Sequence, residues 1–333
     1  MTTIKDLASK TGLGLATISK YLNGGNVREK NRLAIESAIS ELGFTVNELA
    51  RGLRTSKSRI VGIVIPELGN LFTAAIVTVA EDILRRSGYG AIICDCGADK
   101  VREAEAVEFL LAKRVDGLIN MPASGSGDHL LPAIEADIPI LLLDRMIPDF
   151  EDKASAVVIN NVEASATATR LLAENGHTRI GILLGPEDVF TASQRHLGYR
   201  LALEEKGIEI SEGLENHGPY TVEAGYQAAL RILKEEKPTA LFATSYDLSL
   251  GAIIAINELG LKIREDVSLV CFDNIHLARV VKPCLTLVSQ PMEEMGRAAA
   301  ESMLKALGGD KTPRKMELQA RLEIGESVRR LFA

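Results

Sequence analysis

Residues 3 to 23 read TIKDLASKTGLGLATISKYLN. Ile4, Leu7 and Ala8 fall at i, i+3 and i+4, and Leu15, Ile18 and Leu22 keep a helical spacing, so two short amphipathic helices flank the breaker Thr11-Gly12-Leu13-Gly14. Thr3, with Asp6 three residues on, forms a variant capping box that starts the first helix, and Gly12 lets the chain reverse within a few residues. The stretch predicts a helix-turn-helix, whose second helix is free to enter a DNA major groove with its early residues against base edges. Helix pairs that merely pack share this spacing, so periodicity alone does not establish DNA binding.

Downstream, Val27 to Leu42 predicts a third helix with Leu33, Ala34, Ile35, Ala38, Ile39 and Leu42 facing inward and Gly43 as its stop. Three helices of this size bury little apolar surface, so this headpiece is expected to be marginally stable alone. From Asn47 comes NELARGLRTSKSR, with one apolar stripe of Leu49, Ala50 and Leu53. Two helical turns are unstable alone in water, and Gly52 costs roughly a further 1 kcal/mol, so the segment reads as a hinge that folds only on DNA. Charge is distributed to match. The chain carries a net −7, which by itself argues against a nucleic-acid binder, but residues 1–59 hold ten Lys and Arg against five Asp and Glu. That local balance of +5 leaves 28 basic against 40 acidic residues, or −12, for the remainder, so positive charge sits where phosphates would be neutralised.

After Arg59 the pattern changes. IVGIVI (60–65), GAIICD (90–95), DGLIN (116–120), IPILLLD (138–144) and AVVI (156–159) are short apolar runs, separated by helical segments around 71–87, 101–113 and 127–136. A second set follows: helix 161–175, strand 179–185, helices 191–206 and 222–236, strand 239–244, helix 247–259 and strands 266–272 and 285–290. Buried continuous strands alternating with helices predict doubly wound parallel sheets, and the repetition predicts two lobes. A final helix, 291–307, and a strand, 315–324, are expected to return toward the first lobe. With 333 residues, 46% of them hydrophobic, the chain is long enough for two or three such domains.

The phrases TIKDLA, ATISKYLN, ELGFTVNELARGLRT, IVGIVIPELGN, DGLIN, LLLDR, NGHTRIGILLG, EDVSLVCFDN and PCLTLVSQPMEEMG resemble, in order and over nearly the whole chain, the lactose-repressor/galactose-repressor family of bacterial transcription regulators. The resemblance implies an α/β fold: an N-terminal helix-turn-helix headpiece plus a two-lobed, periplasmic-binding-protein-like core of doubly wound parallel sheets. Its parts would be a headpiece at 1–46, a hinge helix and linker at 47–59, a first lobe at 60–159 with about 291–320, and a second at 160–290 with about 321–333. It implies a sequence-specific repressor acting on double-stranded operator DNA as a homodimer or tetramer. Base reading falls by position to Leu15, Ala16 and Lys20, of which only Lys20 can donate to guanine O6 and N7. Thr3, Thr17, Ser19 and Asn23 complete the headpiece contacts, and Leu53, flanked by Ala50, matches the family's minor-groove wedge. The headpiece departs from the family at Gly14, where a serine cap is usual, at Lys20, where an arginine is, and at Val46, where a proline is common.

Ligands of open α/β sheets bind beyond the carboxyl ends of strands, which here means the cleft between lobes. Asp144-Arg145, Tyr246-Asp247 and Asp273-Asn274 stand at strand ends, and Arg195 lies on the helix after LLGPEDVF. The resemblance gives the carboxylates and Arg195 to an effector's hydroxyls and Phe72 to an apolar wall. Carboxylates and a guanidinium fork suit a polyol, so the expected effector is a sugar, sugar acid or sugar phosphate, with a purine ranked below these. Asp247 could instead cap its helix and Arg195 could pair with an acid. Tyr246 stands where many members carry asparagine, and NLFT where NPFF is usual, so the ligand's identity stays open.

Four cysteines lack disulfide or zinc spacing and read as reduced core thiols, and the five histidines share no metal-binding spacing. There is no GxSxG, GxxxxGK[ST] or dinucleotide fingerprint, so neither an enzyme nor a cofactor is expected. The N-terminus has no apolar export core and no run reaches a membrane span, which predicts a cytoplasmic protein without membrane partners. The nearest rival, a solute-binding protein, would need an export signal and would have no headpiece.

Overall fold

The structure, a computed structural model, describes residues 2–22, 24–44, 57–273 and 275–331, the side chains of residues 275–277 excepted. The chain forms two compact units, Met1–Ser58 and Arg59–Ala333.

In the first unit α1 (Ile4–Thr11), α2 (Leu15–Leu22) and α3 (Glu29–Leu42) follow one another. Asp6 accepts the Thr3 N–H at 2.7 Å and the Thr3 hydroxyl at 2.8 Å, which also holds its carboxyl below the usual range. Gly12 takes φ 68° and returns its N–H to Ala8 O, ending α1 in a left-handed cap that a side chain would strain. Leu7, Ile18, Ile35 and Ala38 close the core, with Ile39, Leu42 and Phe44 packed around them. Leu33 does not join them: α3 begins at Glu29 rather than Val27, and Leu33 is 55% exposed. Two residues before Ile35, it lies about 160° round the helix from the buried stripe.

The second unit opens with β1 (Ile60–Ile65), α4 (Leu71–Arg86), β2 (Gly90–Asp95), α5 (Lys100–Ala112), β3 (Gly117–Asn120), α6 (Leu131–Glu135), β4 (Ile140–Leu143) and β5 (Ser155–Ile159). It continues with α7 (Asn161–Glu174), β6 (Ile180–Leu184), α8 (Phe190–Glu205), β7 (Glu215–His217), α9 (Val222–Glu235), β8 (Ala240–Ala243), α10 (Tyr246–Glu258), β9 (Ser268–Phe272), α11 (Ile275–Val280) and β10 (Thr286–Ser289). Last come α12 (Met292–Leu307), β11 (Lys315–Leu318) and β12 (Arg321–Glu323). The two sheets share one order, β11-β5-β4-β3-β1-β2 and β12-β10-β9-β8-β6-β7. Every residue of β3, β4, β6, β8 and β9 is buried, as expected for parallel strands covered on both faces.

The expected single strand 315–324 is two strands on different sheets: β11 runs parallel to β5, while β12 runs antiparallel to β10. Between them Gln319-Ala320 crosses from lobe to lobe, as do Asn160 and Gln290-Pro291. Asn160 ties two of these crossings together. Its N–H donates to Leu318 O at 3.0 Å, its Nδ2 donates to Gln319 Oε1 at 2.8 Å, and its Oδ1 accepts from Ala320 N at 2.8 Å. β7 escaped the sequence reading because ENH is short and polar.

Helices α7 and α8 lie unusually close. A Cβ at Gly198 would fall 2.1 Å from Val162 O, so only glycine admits this approach. The same closeness sets Arg195, one turn earlier on α8, against Asn161 at the start of α7.

Candidate functional site

Two sites follow from this scaffold, one on each unit. On the headpiece, Ile18 faces the core and Ala16 and Lys20 are exposed; Leu15, expected on the apolar face one turn before Ile18, is 46% exposed at the start of α2. Thr17 and Ser19 are half-buried beside them, and Thr3 is exposed at the start of α1. An exposed leucine, an alanine and a lysine at a helix start form a surface that can meet a base edge and a thymine methyl. Asn23, Ala50 and Leu53 lie outside the described residues.

In the core unit, a cavity of about 560 Å³ opens between the lobes. Phe72, Asp144, Arg145, Arg195, Tyr246 and Asp273, all expected from the sequence, line it. Asp144 and Asp273 each follow a central strand directly and take φ 67° and 60°. Arg195 is 3% exposed. Its Nε donates to Asn161 Oδ1 at 2.8 Å and its Nη1 to Thr244 O at 2.6 Å, while its guanidinium carbon lies 3.9 Å from the Phe272 ring centroid. Among the described residues it has no carboxylate within 4.0 Å, so the ion pair weighed for it in the sequence does not form, although its charge still acts on Asp144 and Asp273.

Burial pushes the Asp144 carboxyl up, against the opposing charges of Arg145 and Arg195. Burial likewise lifts Asp273 to about 7, with the neighbouring Asp144 charge adding to it and Arg195 and Gln290 opposing. Arg145 donates Nη1 to Pro122 O at 2.8 Å, its Nε stands 3.5 Å from Asp144 Oδ2, and its guanidinium lies over the Tyr220 ring of the other lobe at 5.8 Å. Three buried oxygens of residues that line this cavity, Asp144 Oδ1, Asp273 Oδ1 and Gln290 Oε1, have no hydrogen-bond partner among the described residues, and Arg145 Nε has only its 3.5 Å ion pair with Asp144.

Asp247 departs from expectation. It does not line the cavity; its Oδ2 accepts from Asn70 Nδ2 at 2.8 Å across the lobes. Nor does it cap α10; Ser245 does, accepting from Leu248 N at 3.2 Å. Asn70 in turn caps α4 through Phe72 N and Thr73 N. Gln290, Asn70, Tyr220 and Asn161 were missed. Gln290 directly follows β10, so the strand-end rule that found Asp144 would have found it; Asn70 stands five residues past β1 as the cap of α4, where an N-cap rule would have found it; Tyr220 and Asn161 carry no local signal. Among the described residues no group of three or more His, Cys, Asp or Glu could hold a metal ion, and no helix is long and apolar enough to cross a membrane.

Comparison with known proteins bears on both sites. Residues 3–47 match the profile of bacterial regulatory proteins of the lacI family, and residues 169–328 that of a periplasmic binding protein-like domain. Catabolite control protein A of Priestia megaterium is 30% identical over 331 residues, covering 98% of this chain and 99% of that protein. The HTH-type transcriptional repressor PurR of Proteus mirabilis is 34% identical over 310 residues, 91% of this chain and 90% of that protein. Among solved structures, the lac repressor dimer bound to operator and the anti-inducer ONPF has a TM-score of 0.86 at 25% identity, covering 98% of this chain and 99% of its own. A complex of the transcriptional regulator CelR with cellobiose has a TM-score of 0.74 at 29% identity, covering 98% of this chain and 100% of its own. With the relatives matched from end to end and the helix-turn-helix and two-lobed core both in place, the chain belongs to the lacI family of bacterial regulatory proteins and is a DNA-binding transcriptional repressor, not an enzyme.

Proposed function

We propose that the repressor's operator affinity is controlled by a sugar bound in the cleft between the lobes. The observation that carries this reading is a set of three buried oxygens with no donor among the described residues, Asp144 Oδ1, Asp273 Oδ1 and Gln290 Oε1. A buried acceptor without a donor costs about 1–3 kcal/mol, so the ligand that fits best brings several hydroxyl hydrogens and a few oxygens of its own. A neutral sugar does that. A sugar acid or sugar phosphate, rich in acceptors and negative, suits the same set less well. The CelR relative, solved with cellobiose, supports the class. A purine is the second reading, favoured by the likeness to PurR.

In this reading the protein works in the cytoplasm as a homodimer, because one headpiece contacts too few bases and a two-fold dimer matches a near-palindromic operator. Residues 1–46 read DNA through Leu15, Ala16 and Lys20, with Thr3, Thr17, Ser19 and Asn23 about the phosphates. Residues 47–59, with Ala50 and Leu53, form the hinge that opens the central base step. Residues 60–159 with 291–320, and 160–290 with 321–333, form the lobes whose relative angle the ligand sets. A typical coupling of roughly 1–3 kcal/mol would change operator affinity about 5- to 150-fold.

The test is a thermal-shift screen of sugars, sugar acids, sugar phosphates and purines, followed by operator binding with and without the hit. A neutral sugar is expected to raise the melting temperature and to change operator affinity, and Arg195→Ala to lose both effects. A purine as the sole stabiliser would overturn the sugar reading in favour of the second.

A further inference from the structure

We infer that Gly25 is a positioning residue for base reading: its bare backbone seats the stem of Lys20, so that the ammonium meets DNA already ordered. This rests on the reading above in which Lys20 contacts a base edge, and goes beyond it in naming what holds that lysine. Lys20 stands in the last turn of α2, four residues after Ala16 and on the same exposed face. The chain then turns back on it: Gly24 donates its N–H to Tyr21 O at 2.9 Å, and Gly25 donates its own to Lys20 O at 2.8 Å. The side chain follows the backbone. A Cβ built on Gly25 would fall 2.6 Å from Lys20 Cγ, 2.8 Å from Lys20 O and 3.4 Å from Lys20 Cε. The stem therefore lies along the glycine, and any other residue there would displace it.

The neighbouring glycine shows that this is a matter of room and not of turn geometry. Gly24 takes φ 76°, a conformation that calls for glycine, and a Cβ there would have nothing within 4 Å. Gly25 has no such φ and meets Lys20 instead. Charge points the same way. Lys10 is committed to Glu41 at 2.8 Å and Arg32 to Glu36 at 3.1 Å, all within the headpiece. Lys20, by contrast, is exposed and has no carboxylate within 4.0 Å among the described residues. Its stem is held while its charge is left for an outside acceptor. A lysine needs this more than the arginine usual here, because its ammonium rides on a flexible four-carbon stem whereas a guanidinium is a rigid planar fork. Freezing one such side chain on binding costs roughly two- to tenfold in affinity, and a seat in the free protein removes that cost beforehand.

The experiment selects DNA with the full chain from duplexes carrying a randomised core, then measures affinity for the selected duplex and for each of its single-base-pair changes by fluorescence anisotropy. Lys20→Ala identifies the base pair whose preference it removes. Gly25→Ala is expected to reduce the preference at that same pair about fivefold and to leave the other pairs and random DNA within about twofold. Gly24→Ala, which strains the same turn without touching Lys20, should instead weaken all duplexes alike. In the Lys20→Ala background, Gly25→Ala should have no further effect at that pair. A folded Gly25→Ala chain that keeps the preference, weakens every duplex alike, or loses as much without Lys20 overturns the seat and leaves base reading by Lys20 standing. If Lys20→Ala removes no base preference, both readings fail. Should Gly25→Ala unfold the headpiece, Lys20→Met decides, because its methyl carbon takes the place of Lys20 Cε. Isotopically labelled at that methyl, the full chain should show magnetisation transfer to the Gly25 α-protons, and its absence overturns the seat.

Discussion

The two lobes solve one problem with the same backbone and different chemistry. β4 and β9 hold the same place in their sheets, and each hands directly to an aspartate in the left-handed region, Asp144 and Asp273. Each aspartate returns its N–H to the neighbouring strand, to Val157 O at 2.8 Å and Val288 O at 3.0 Å. Aspartate is among the few residues that tolerate this conformation, and it turns the carboxylate out past the end of the sheet. Beside Asp144, however, the next residue is Arg145, 3.5 Å away, while Asp273 is held by the neutral amide of Gln290. Burial then lifts Asp273 to about 7. Backbone geometry thus decides where each carboxyl stands; burial raises both, opposed by Arg145 at Asp144 and by the Gln290 amide at Asp273.

The strongest test of that contrast removes what the two acids share. Arg195→Ala strips the buried positive charge near both, together with its bonds to Asn161 and Thr244, and is expected to cost about 1–3 kcal/mol at neutral pH. Urea unfolding measures it. The cost should shrink at pH 5, where Asp273 can protonate; a cost independent of pH would mean that Arg195 only packs.

A smaller effect separates the acids. A carboxyl raised in the folded state contributes stability that is fully present below its unfolded value and lost as pH rises through the folded one. For Asp273 that window runs from its ordinary value of 3.8 to about 7. Asp273→Asn should therefore flatten the fall in stability across this range and leave the ligand-free protein more stable than the parent at pH 8. Asp144→Asn should change the profile in the same direction, because burial raises that carboxyl too, with part of the gain offset because Arg145 loses its nearest carboxylate. His177 works with the opposite sign: buried against Thr239 and Arg329 O and held low by burial, it loses stability as pH falls below its ordinary value of 6.5. That acid-side loss should persist in both variants. Melting curves from pH 5 to 8 decide these points, and identical profiles for the two Asn variants would erase the distinction between the lobes.

The mildest test compares the helix caps. Asn70 caps α4 in one lobe and Ser245 caps α10 in the other, so Asn70→Ala and Ser245→Ala should each cost about 1 kcal/mol. Only Asn70→Ala also releases Asp247 and so weakens the link across the lobes. It should alter affinity for the cleft ligand more than Ser245→Ala does. Equal changes in titration would show that the Asn70–Asp247 bond does not help to hold the cleft.

What the sequence made legible was local. The apolar runs of β1, β4, β6 and β9 announce covered parallel strands, Gly12 announces a reversal, and Asp144 and Asp273 announce strand ends because the chain's own period runs out there. What it hid was set by distant partners. Asp247 meets Asn70, 177 residues away, and no spacing on α10 reveals it. The division of 315–324 into β11 and β12 depends on two different edge strands, β5 and β10, being available to receive them. Leu33 looked inward because an apolar residue near Ile35 and Ala34 was counted with them, and only the true start and packing of α3 turn it out.

The shared crossings have one more consequence, for the order in which the protein is made. The first lobe's sheet cannot be completed when β5 leaves the ribosome at residue 159, because its edge partner β11 is still more than a whole lobe away in the chain. The helix α12, which packs against α4 and β3 to β5, arrives just as late. Until then β5 presents an open, apolar edge of the kind that pairs with other chains. A nascent chain of this repressor therefore carries its aggregation hazard in its earliest-built lobe, and release comes only with roughly the last twentieth of translation, when residues 315–318 slide in beside Ala156 to Ile159.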